Sequence, residues 1–343
     1  MTSSLRIIAL AALALASTTT FAQAPLFRAY LSTSGNDNNP CTLASPCRLL
    51  AKAITVVQDG GEVWMLDSGN YNTQEVGIDK GVTVMSMPGV QGSLVAAASF
   101  NNTVTVVTPN PVTFRNVTFL PLPGTTATGG VIKSGTGRMT FQDCNLSAFG
   151  TYGISIGSGG DLTLIRTVMR DMPTGINVQG GATLGVHEST FAGFSNMAIS
   201  VTAGAAETTR AVVTRSAFRL VNRGVDAQAN AAAAKAIVHV VDSQLEASTI
   251  PAPSTLGVGA VATNGGVVEV VVSGSYISRF GRGIFVSGAS PSRAQISSSH
   301  ITGNQAGLAA DQATTTILSA GNNLIRGNVT DINIAGTITT GAQ

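Results

Sequence analysis

A six-residue pattern of hydrophobic and polar positions recurs along the chain about every two dozen residues. Each copy runs from an apolar residue through two polar or variable positions to a small residue, then a polar residue and a second apolar residue. The small residues of seven successive copies are Cys144, Thr167, Ser189, Ser216, Ser243, Ser275 and Ser299. Because their spacing varies while the pattern keeps its length, the sequence predicts stacked coils of one cross-section with insertions confined to the loops.

A second pattern marks the return of each coil, where a small residue precedes a short run of apolar or β-branched residues. The small residues of this second pattern are Gly153, Gly175, Ala198, Gly224, Gly257, Gly283 and Gly307. Glycine at such a position predicts a tight corner with a positive φ, and the alternation after it predicts a short strand with one inward face. Each coil should therefore hold two or three short strands separated by bends.

The residue before the small residue of the first pattern is expected at an exposed corner. In five successive coils this position is charged, with alternating sign: Asp143, Arg166, Glu188, Arg215 and Asp242. Stacked strands lie about 4.8 Å apart, so neighbouring opposite charges should form a ladder of exposed pairs, each worth about 1 kcal/mol or less. We interpret this column as structural and not as a catalytic cluster.

The N-terminal part of the chain predicts a cap for one end of the solenoid, where interior and strand edges would otherwise be exposed. Apolar positions at helical spacing follow Ser45, a good N-cap residue, and predict a helix over residues 46–57 that ends before the stop signal at 59–61. Residues 62–66 are predicted as the first strand and 331–343 as a last strand and tail. Between these ends we expect about eleven coils.

Residues 1–22 have the features of a secretory signal peptide, with Arg6 before an apolar stretch and small residues before a cleavage site after Ala22. No later segment reaches 18 apolar residues in a row, so no transmembrane segment is predicted in the mature chain. We expect a secreted protein, periplasmic or extracellular, that is soluble or associated with the cell surface. The predicted organisation is a signal peptide (1–22), an N-terminal cap (23–60) and a β-helix (61–343).

The charge of the chain narrows the classes of possible partner, and the positions of the three cysteines indicate their chemical states. Only 10% of the residues are charged and the formal net charge is +2, which argues against nucleic acid as a partner because phosphate neutralisation needs a basic excess. In an oxidising compartment, the closely spaced Cys41 and Cys47 are predicted to form a disulfide. Cys144 lies in the small-residue column and is expected to be a buried free thiol.

The N-terminal segments 30–41, 46–47, 60–63 and 67–71 resemble those of exported bacterial right-handed parallel β-helix proteins of the pectin lyase-like superfamily. The resemblance extends over the coils and covers nearly the whole mature chain. It implies an all-β fold, a single-stranded right-handed parallel β-helix with an N-terminal capping helix. It does not carry catalytic residues over, since the polygalacturonase-like motifs are missing and the pectate-lyase-like Trp-x-Asp-His is only faintly echoed by Trp64 and Asp67.

No metal site or cofactor is predicted, because His187, His239 and His300 fall in different columns of the repeat.

The ligand-binding candidates flank an insertion at 246–255, which lengthens one coil and could form the wall of a concave site. They are Tyr276, Arg279, Arg282, Arg219 and Arg223. An aromatic ring can stack on a sugar, and guanidinium groups can hold the carboxylates of an acidic one.

Three functions remain open from the sequence. The favoured hypothesis is a non-catalytic exported β-helix that binds a glycan or a cell-surface partner on its lateral face. The alternative is a polysaccharide lyase or glycoside hydrolase of the pectin lyase-like superfamily that acts on an acidic polysaccharide. A third is a segment of a larger surface assembly, and the sequence does not give the oligomeric state.

Overall fold

The computed structural model describes residues 24–96, 101–122, 124, 128–248 and 252–340. They form a parallel β-solenoid of about 11 turns with one helix, Leu50–Val56, which confirms the predicted fold class. Each coil contributes strands to three faces. The predicted signal peptide and residues 249–251 of the insertion lie outside the described part of the chain.

The first face is a 13-stranded parallel sheet that holds, in each coil, the strand before the small-residue corner. Its strands are Leu26–Leu31, Val57–Met65, Val82–Ser86, Val112–Arg115, Arg138–Gln142, Asp161–Ile165, Thr183–His187, Thr208–Thr214, Lys235–Val241, Val267–Ser273, Ser292–Ser297, Thr315–Ser319 and Thr337–Thr340. Strands of successive coils pair in register, for example Phe141 with Leu164 and Leu164 with Val186.

The second face follows that corner, and the third face closes the coil. Strands of the second face alone are Gly69–Asn70, Gly92–Ala96, Val117–Pro121, Asn145–Ser147, Ala217–Val221, Gln244–Ala247, Tyr276–Ser278, His300–Thr302 and Leu324–Ile325. Strands of the third face alone are Val76–Ile78, Asn102–Val106, Gly129–Lys133, Tyr152–Ile156, Arg223–Ala229, Leu256–Ala262, Arg282–Ser287, Ala306–Ala310 and Thr330–Ile334. Two long strands, Val168–Val178 and Thr190–Ala203, bend from the second face onto the third.

Alternate residues of the strands point inward and fill the coil with apolar side chains. Aromatic rings stack along the axis, so that the centroids of Phe191 and Phe218 lie 4.7 Å apart in nearly parallel planes. Further along the axis, Phe114 and Phe141 stack at 5.1 Å. Because like residues occupy like positions in adjacent coils, the interior is one continuous core.

The small residues of the first pattern point inward, as predicted, and form a ladder of hydrogen bonds. The Ser216 hydroxyl donates to the carbonyl oxygen of Thr214 at 2.9 Å and accepts the backbone N–H of Ser189 in the preceding coil at 3.1 Å. Ser243 repeats both bonds one coil later. The strand breaks at this corner, so the hydroxyl satisfies a buried N–H that the sheet does not.

Cys144 occupies the same inward column and is a free, buried thiol, as predicted. Its Sγ lies 3.4 Å from the carbonyl oxygen of Gln142, where a serine hydroxyl would donate. Burial raises the pKa of this thiol to about 12, because the apolar interior disfavours the thiolate. It is therefore a packing residue and not a nucleophile.

The glycines of the second pattern do not have the predicted positive φ. They lie where successive coils approach each other closely: a Cβ at Gly175 would sit 2.4 Å from the carbonyl oxygen of Ala198. Positive φ angles occur instead at other positions, among them the charged corner column, with 54° at Asp143 and 46° at Arg215. The prediction was wrong because a glycine signals either a left-handed backbone or a missing Cβ, and only contacts between coils separate the two.

The charged corner column forms separate pairs and not the continuous ladder that was predicted. Arg166 binds Asp143 at 2.7 Å, and Arg215 binds Glu188 at 3.0 Å. Among the described residues, the steps from Arg166 to Glu188 and from Arg215 to Asp242 contain no ion pair. Each arginine reaches back to the preceding coil, and the hydrogen bonds from Arg166 lower the pKa of Asp143.

The N-terminal cap begins with a strand that the sequence did not predict. Leu26–Leu31 pairs with Val57–Met65 and is therefore the first strand of the first face, whereas we predicted the first strand at 62–66. The predicted stop signal at 59–61 lies inside the second strand. Tertiary pairing extends that strand backwards to Val57, which local propensity did not indicate.

The capping helix begins at Leu50 and not directly after Ser45 as predicted. Cys47 is held in extended form, because its backbone pairs with the first strand through Tyr30 and Ser32. The carboxylate of Asp37, not a local N-cap, accepts the N–H groups of Arg48 and Leu49 just before the helix. Leu50, Ala53 and Ile54 of the helix are buried and cover the end of the solenoid.

The predicted disulfide between Cys41 and Cys47 is present, and both of its cysteines are buried. At the other end, the predicted last strand is two strands, Thr330–Ile334 and Thr337–Thr340, which close the third and first faces. Residues 341–343 of the predicted tail lie outside the described residues. Within the described ranges, no helix has the length and apolar character needed to cross a bilayer.

Candidate functional site

Two concave sites lie beside the insertion at 246–255, one on the second face and one on the third. They separate the ligand-binding candidates that the sequence predicted to act together. Tyr276 and Arg279 line the second-face site, whereas Arg223 and Arg282 line the third-face site. Arg219 is exposed on the strand Ala217–Val221 and lines neither.

The second-face site, the Tyr276 groove, has a volume of about 560 Å³. Its lining residues are Gln244, Glu246, Tyr276, Ser278, Arg279, Thr302 and Gly303. The strand register places them, since Tyr276 pairs with Gln244 on one side and with His300 on the other. Stacked outward positions of three coils thus bring an amide, a phenol and an imidazole into one row.

The phenol ring of Tyr276 is the aromatic surface of this groove, and 39% of the residue is exposed. Beside it, Arg279 donates to Glu246 in an ion pair of 2.8 Å. Arg279 has a φ of 65°, so the chain turns at this point and directs the guanidinium back along the preceding coil. The groove therefore combines a flat apolar ring with a rim of paired charges and neutral donors and acceptors.

The third-face site, the Asp226 cavity, has a volume of about 630 Å³. Its lining residues are Arg223, Asp226, Gln228, Pro253, Ser254, Leu256, Val261, Arg282, Phe285, Ser287 and Asp311. Pro253 and Ser254 belong to the described part of the insertion, which therefore forms one wall, as the sequence predicted. Arg282 and Pro253 also line a smaller neighbouring opening of about 400 Å³.

Asp226 points outward from its strand, yet it is only 1% exposed. Its Oδ2 accepts hydrogen bonds from Arg223 at 2.9 Å and from Gln228 at 3.2 Å. Its Oδ1 is buried and has no hydrogen-bond partner. Gly259 in the next coil leaves room for this oxygen, since a Cβ there would lie 2.6 Å from it.

The opposite wall of the Asp226 cavity is partly apolar. The guanidinium of Arg282 lies 4.2 Å over the ring of Phe285, an arrangement that favours a fixed cation on an aromatic face. Ser287 donates to Asp311 at 2.9 Å. Leu256 and Phe285 belong to a small apolar cluster on the outer surface, separate from the main core.

Sequence reasoning missed Asp226, Glu246 and Gln244. In the sequence, Asp226 and Glu246 are ordinary strand residues. In the structure, Asp226 pairs with Arg223 of the same strand, and Glu246 pairs with Arg279 of the next coil. A signal was present for Asp226, because it is the only charged residue among the seven that stand two positions after the small residue of the second pattern.

The three histidines lie on three different strands and do not form a cluster. The Nδ1 atom of His187 lies 2.7 Å from the Thr214 hydroxyl. The described residues contain no group of three or more His, Cys, Asp or Glu residues arranged to hold a metal ion.

Asp67, which weakly resembles the aspartate of a pectate-lyase-like motif, stabilises the N-terminal cap. It accepts hydrogen bonds from the hydroxyls of Ser32 and Tyr71 and from the N–H of Thr33. Burial opposes ionisation of Asp67, but these hydrogen bonds outweigh burial and lower its pKa. Desolvation and the neighbouring carboxylate raise the pKa of Tyr71. These hydrogen bonds connect the segment after the first strand with the turn at residues 67–71.

Comparison with known proteins relates the chain to β-helices. Residues 99–267, just under half of the chain, match the family described as "Right handed beta helix region". A search of the curated proteins found no match to this sequence.

Solved structures with a similar fold include three carbohydrate-active enzymes. Pectate lyase Pel9A has 12% identity and a TM-score of 0.45 over 91% of this chain and 77% of its own. The GH136 lacto-N-biosidase from Eubacterium ramulus has 10% identity and a TM-score of 0.46 over 91% and 68%. A rhamnogalacturonan lyase has 12% identity and a TM-score of 0.44 over 91% and 86%. Likeness at this level concerns the fold and not the chemistry.

Proposed function

We propose that the chain, whose residues 99–267 match the right-handed β-helix family, binds a saccharide at the Tyr276 groove without turning it over. One observation carries this proposal: an exposed aromatic ring lies on a flat strand face, with an amide and an imidazole in register on either side. A pyranose ring has apolar faces and a polar rim, and this row offers a complement to both.

Support for binding without turnover comes from the only carboxylate that lines the described groove. Glu246 is held by Arg279 at 2.8 Å, so it is not free to take a proton from a substrate. Glycoside hydrolysis generally needs two carboxylates that face one bond. A surface that lacks the second carboxylate suits recognition better than hydrolysis.

The proposal also includes export of the chain and a partner at the cell surface. The buried disulfide between Cys41 and Cys47 suits an oxidising compartment, and the N-terminal 22 residues have signal-peptide features. A polysaccharide outside the cytoplasm is the partner class that such a location would provide.

The alternative, a polysaccharide lyase or glycoside hydrolase, is favoured by one feature outside the groove. The Asp226 cavity combines a buried carboxylate with two arginines, and ionisable side chains that line a concave site are candidates for catalysis. Turnover at that cavity would leave new reducing ends or unsaturated sugar products, whereas binding alone would leave the ligand unchanged.

The test is calorimetric titration of the purified protein with a panel of neutral and acidic oligosaccharides, followed by product analysis after long incubation. We expect at least one oligosaccharide to bind, and Tyr276→Ala to weaken that binding at least tenfold by removing the stacking surface. Phe27→Ala is the matched control, since Phe27 is a similarly exposed ring at the far end of the first face. Unchanged binding by Tyr276→Ala would rule out the groove, and product formation would establish the enzyme alternative.

A further inference from the structure

We propose that the Asp226 cavity is a second ligand site, distinct from the Tyr276 groove, and that it takes a neutral polyhydroxyl ligand such as an uncharged sugar unit. The arginines of the sequence, taken alone, predicted an acidic sugar. The carboxylate that these arginines meet in the structure changes the expected chemistry of the ligand.

The unpartnered oxygen of Asp226 is the first reason. Both carboxylate oxygens can accept hydrogen bonds, and only Oδ2 does so. A buried acceptor without a donor is costly in a folded protein and is rare unless a ligand, water or ion completes it. Asp226 lies on the outer side of the coil wall, in a cavity, so the missing donor can come from outside the chain.

The charge of the cavity selects the class of that donor. Arg223 and Arg282 carry two positive charges, and Asp226 and Asp311 carry two negative charges, so the formal charges cancel. Arg223 is already paired with Asp226 at 2.9 Å. An anionic group placed at Oδ1 would meet a carboxylate, and a cation would enter a cavity that two arginines already line, whereas a neutral hydroxyl donates without either penalty.

The remaining walls match the other surfaces of a sugar. Leu256 and Phe285 provide apolar contact for C–H groups, while Gln228, Ser254 and Ser287 provide polar atoms around them. The described part of the insertion closes one side, so the ligand would be enclosed and not merely laid on a flat strand.

Binding requires a small local rearrangement, because Oδ1 has almost no contact with solvent. Leu256 lies beside it: a Cβ built on Gly259 would be 2.6 Å from Oδ1 and 3.4 Å from Cδ1 of Leu256. Movement of the Leu256 side chain would open this oxygen to the cavity, and the space above Gly259 would receive the hydroxyl.

Two variants test the site by different routes. Asp226→Asn keeps the size of the side chain but removes the charged acceptor, and charge-assisted hydrogen bonds are roughly twice as strong as neutral ones. Gly259→Ala keeps the carboxylate and fills the space beside Oδ1. Asp161→Asn, an exposed carboxylate on the first face, is the matched control for the amide substitution.

The measurement is calorimetric titration of the full chain with xylose, glucose, galactose and mannose oligosaccharides and with oligogalacturonate, and thermal unfolding confirms that each variant is folded. We expect a neutral oligosaccharide to bind with at least tenfold lower affinity in both Asp226→Asn and Gly259→Ala, and with unchanged affinity in Asp161→Asn. Unchanged affinity in a folded Asp226→Asn, tighter binding of oligogalacturonate, or no neutral ligand for the parent would overturn the inference. Loss of binding in Tyr276→Ala alone would overturn it while leaving the proposed function intact.

Discussion

A serine hydroxyl makes the same two hydrogen bonds in coil after coil at the corner between the first and second faces. Ser189, Ser216 and Ser243 each donate to the carbonyl two residues earlier and accept an N–H from the preceding coil. Near the C-terminal end, Asn323 takes over the acceptor role toward the N–H of Ser299. A small polar residue is therefore required here both by the available space and by the unpaired N–H.

At this scale we predict that Ser216→Arg destabilises the protein severely, whereas Arg215→Ala has a mild effect. A guanidinium at position 216 would be buried without a counter-charge and would cost several kcal/mol. Arg215 is exposed and forms one surface pair with Glu188, so its loss should cost about 1 kcal/mol or less. Chemical unfolding of both variants measures this difference. Equal midpoints would show that the assignment of inward and outward positions is wrong.

At the scale of the strand and its corner, the glycine column decides how closely the coils can approach each other. Gly175 and Gly257 lack positive φ, but a Cβ on either would lie 2.4 Å from the next carbonyl oxygen. The backbone itself fills the space, so the neighbour cannot yield as a flexible side chain would. In contrast, Gly157 sits in ordinary space, with its nearest neighbour 3.6 Å from a built Cβ.

We predict that Gly175→Ala lowers the free energy of unfolding by about 1–3 kcal/mol, the range for forced overpacking. Gly157→Ala is the matched control and should be neutral or stabilise by up to about 1 kcal/mol, because alanine reduces the entropy of the unfolded chain. Denaturant titration of both variants provides the measurement. A Gly175→Ala protein as stable as the Gly157→Ala protein would contradict the close approach of the coils.

At the scale of the whole molecule, each coil contacts its two neighbours and repeats their cross-section. The paired strands, the serine ladder and the aromatic stacks all connect coil to coil in register. Stability should then be close to a sum over coils and their interfaces, so that removing one complete unit rejoins equivalent surfaces. Removing part of a unit would instead shift every inward residue after it.

We predict that deletion of residues 189–215, one complete repeat from Ser189 to the residue before Ser216, leaves a folded β-helix with a moderately lower melting temperature. Glu188 would then precede Ser216 in the same pattern that it now forms with Ser189. Deletion of residues 189–202, about half a repeat, should abolish the cooperative transition, since it breaks the register. Far-UV circular dichroism and thermal melting distinguish the two. Loss of structure in the whole-repeat deletion would contradict the modular description.

The sequence alone determined the repeat, the inward column of small residues, the pairing of Cys41 with Cys47, the free Cys144 and the class of fold, because each depends on a local pattern. Tertiary structure alone decided the first strand at Leu26–Leu31, the start of the helix at Leu50 and the location of the positive φ angles. Those features depend on what the next coil or a distant strand places against the backbone.

The candidate sites divide in the same way. The sequence indicated Tyr276, Arg279 and the insertion, since an aromatic residue close to charged residues can be identified from the sequence itself. It could not indicate that Arg223 would be neutralised by Asp226, or that one oxygen of that carboxylate would be left without a donor. Burial and pairing are properties of several coils stacked together, and they decide the charge that a ligand meets.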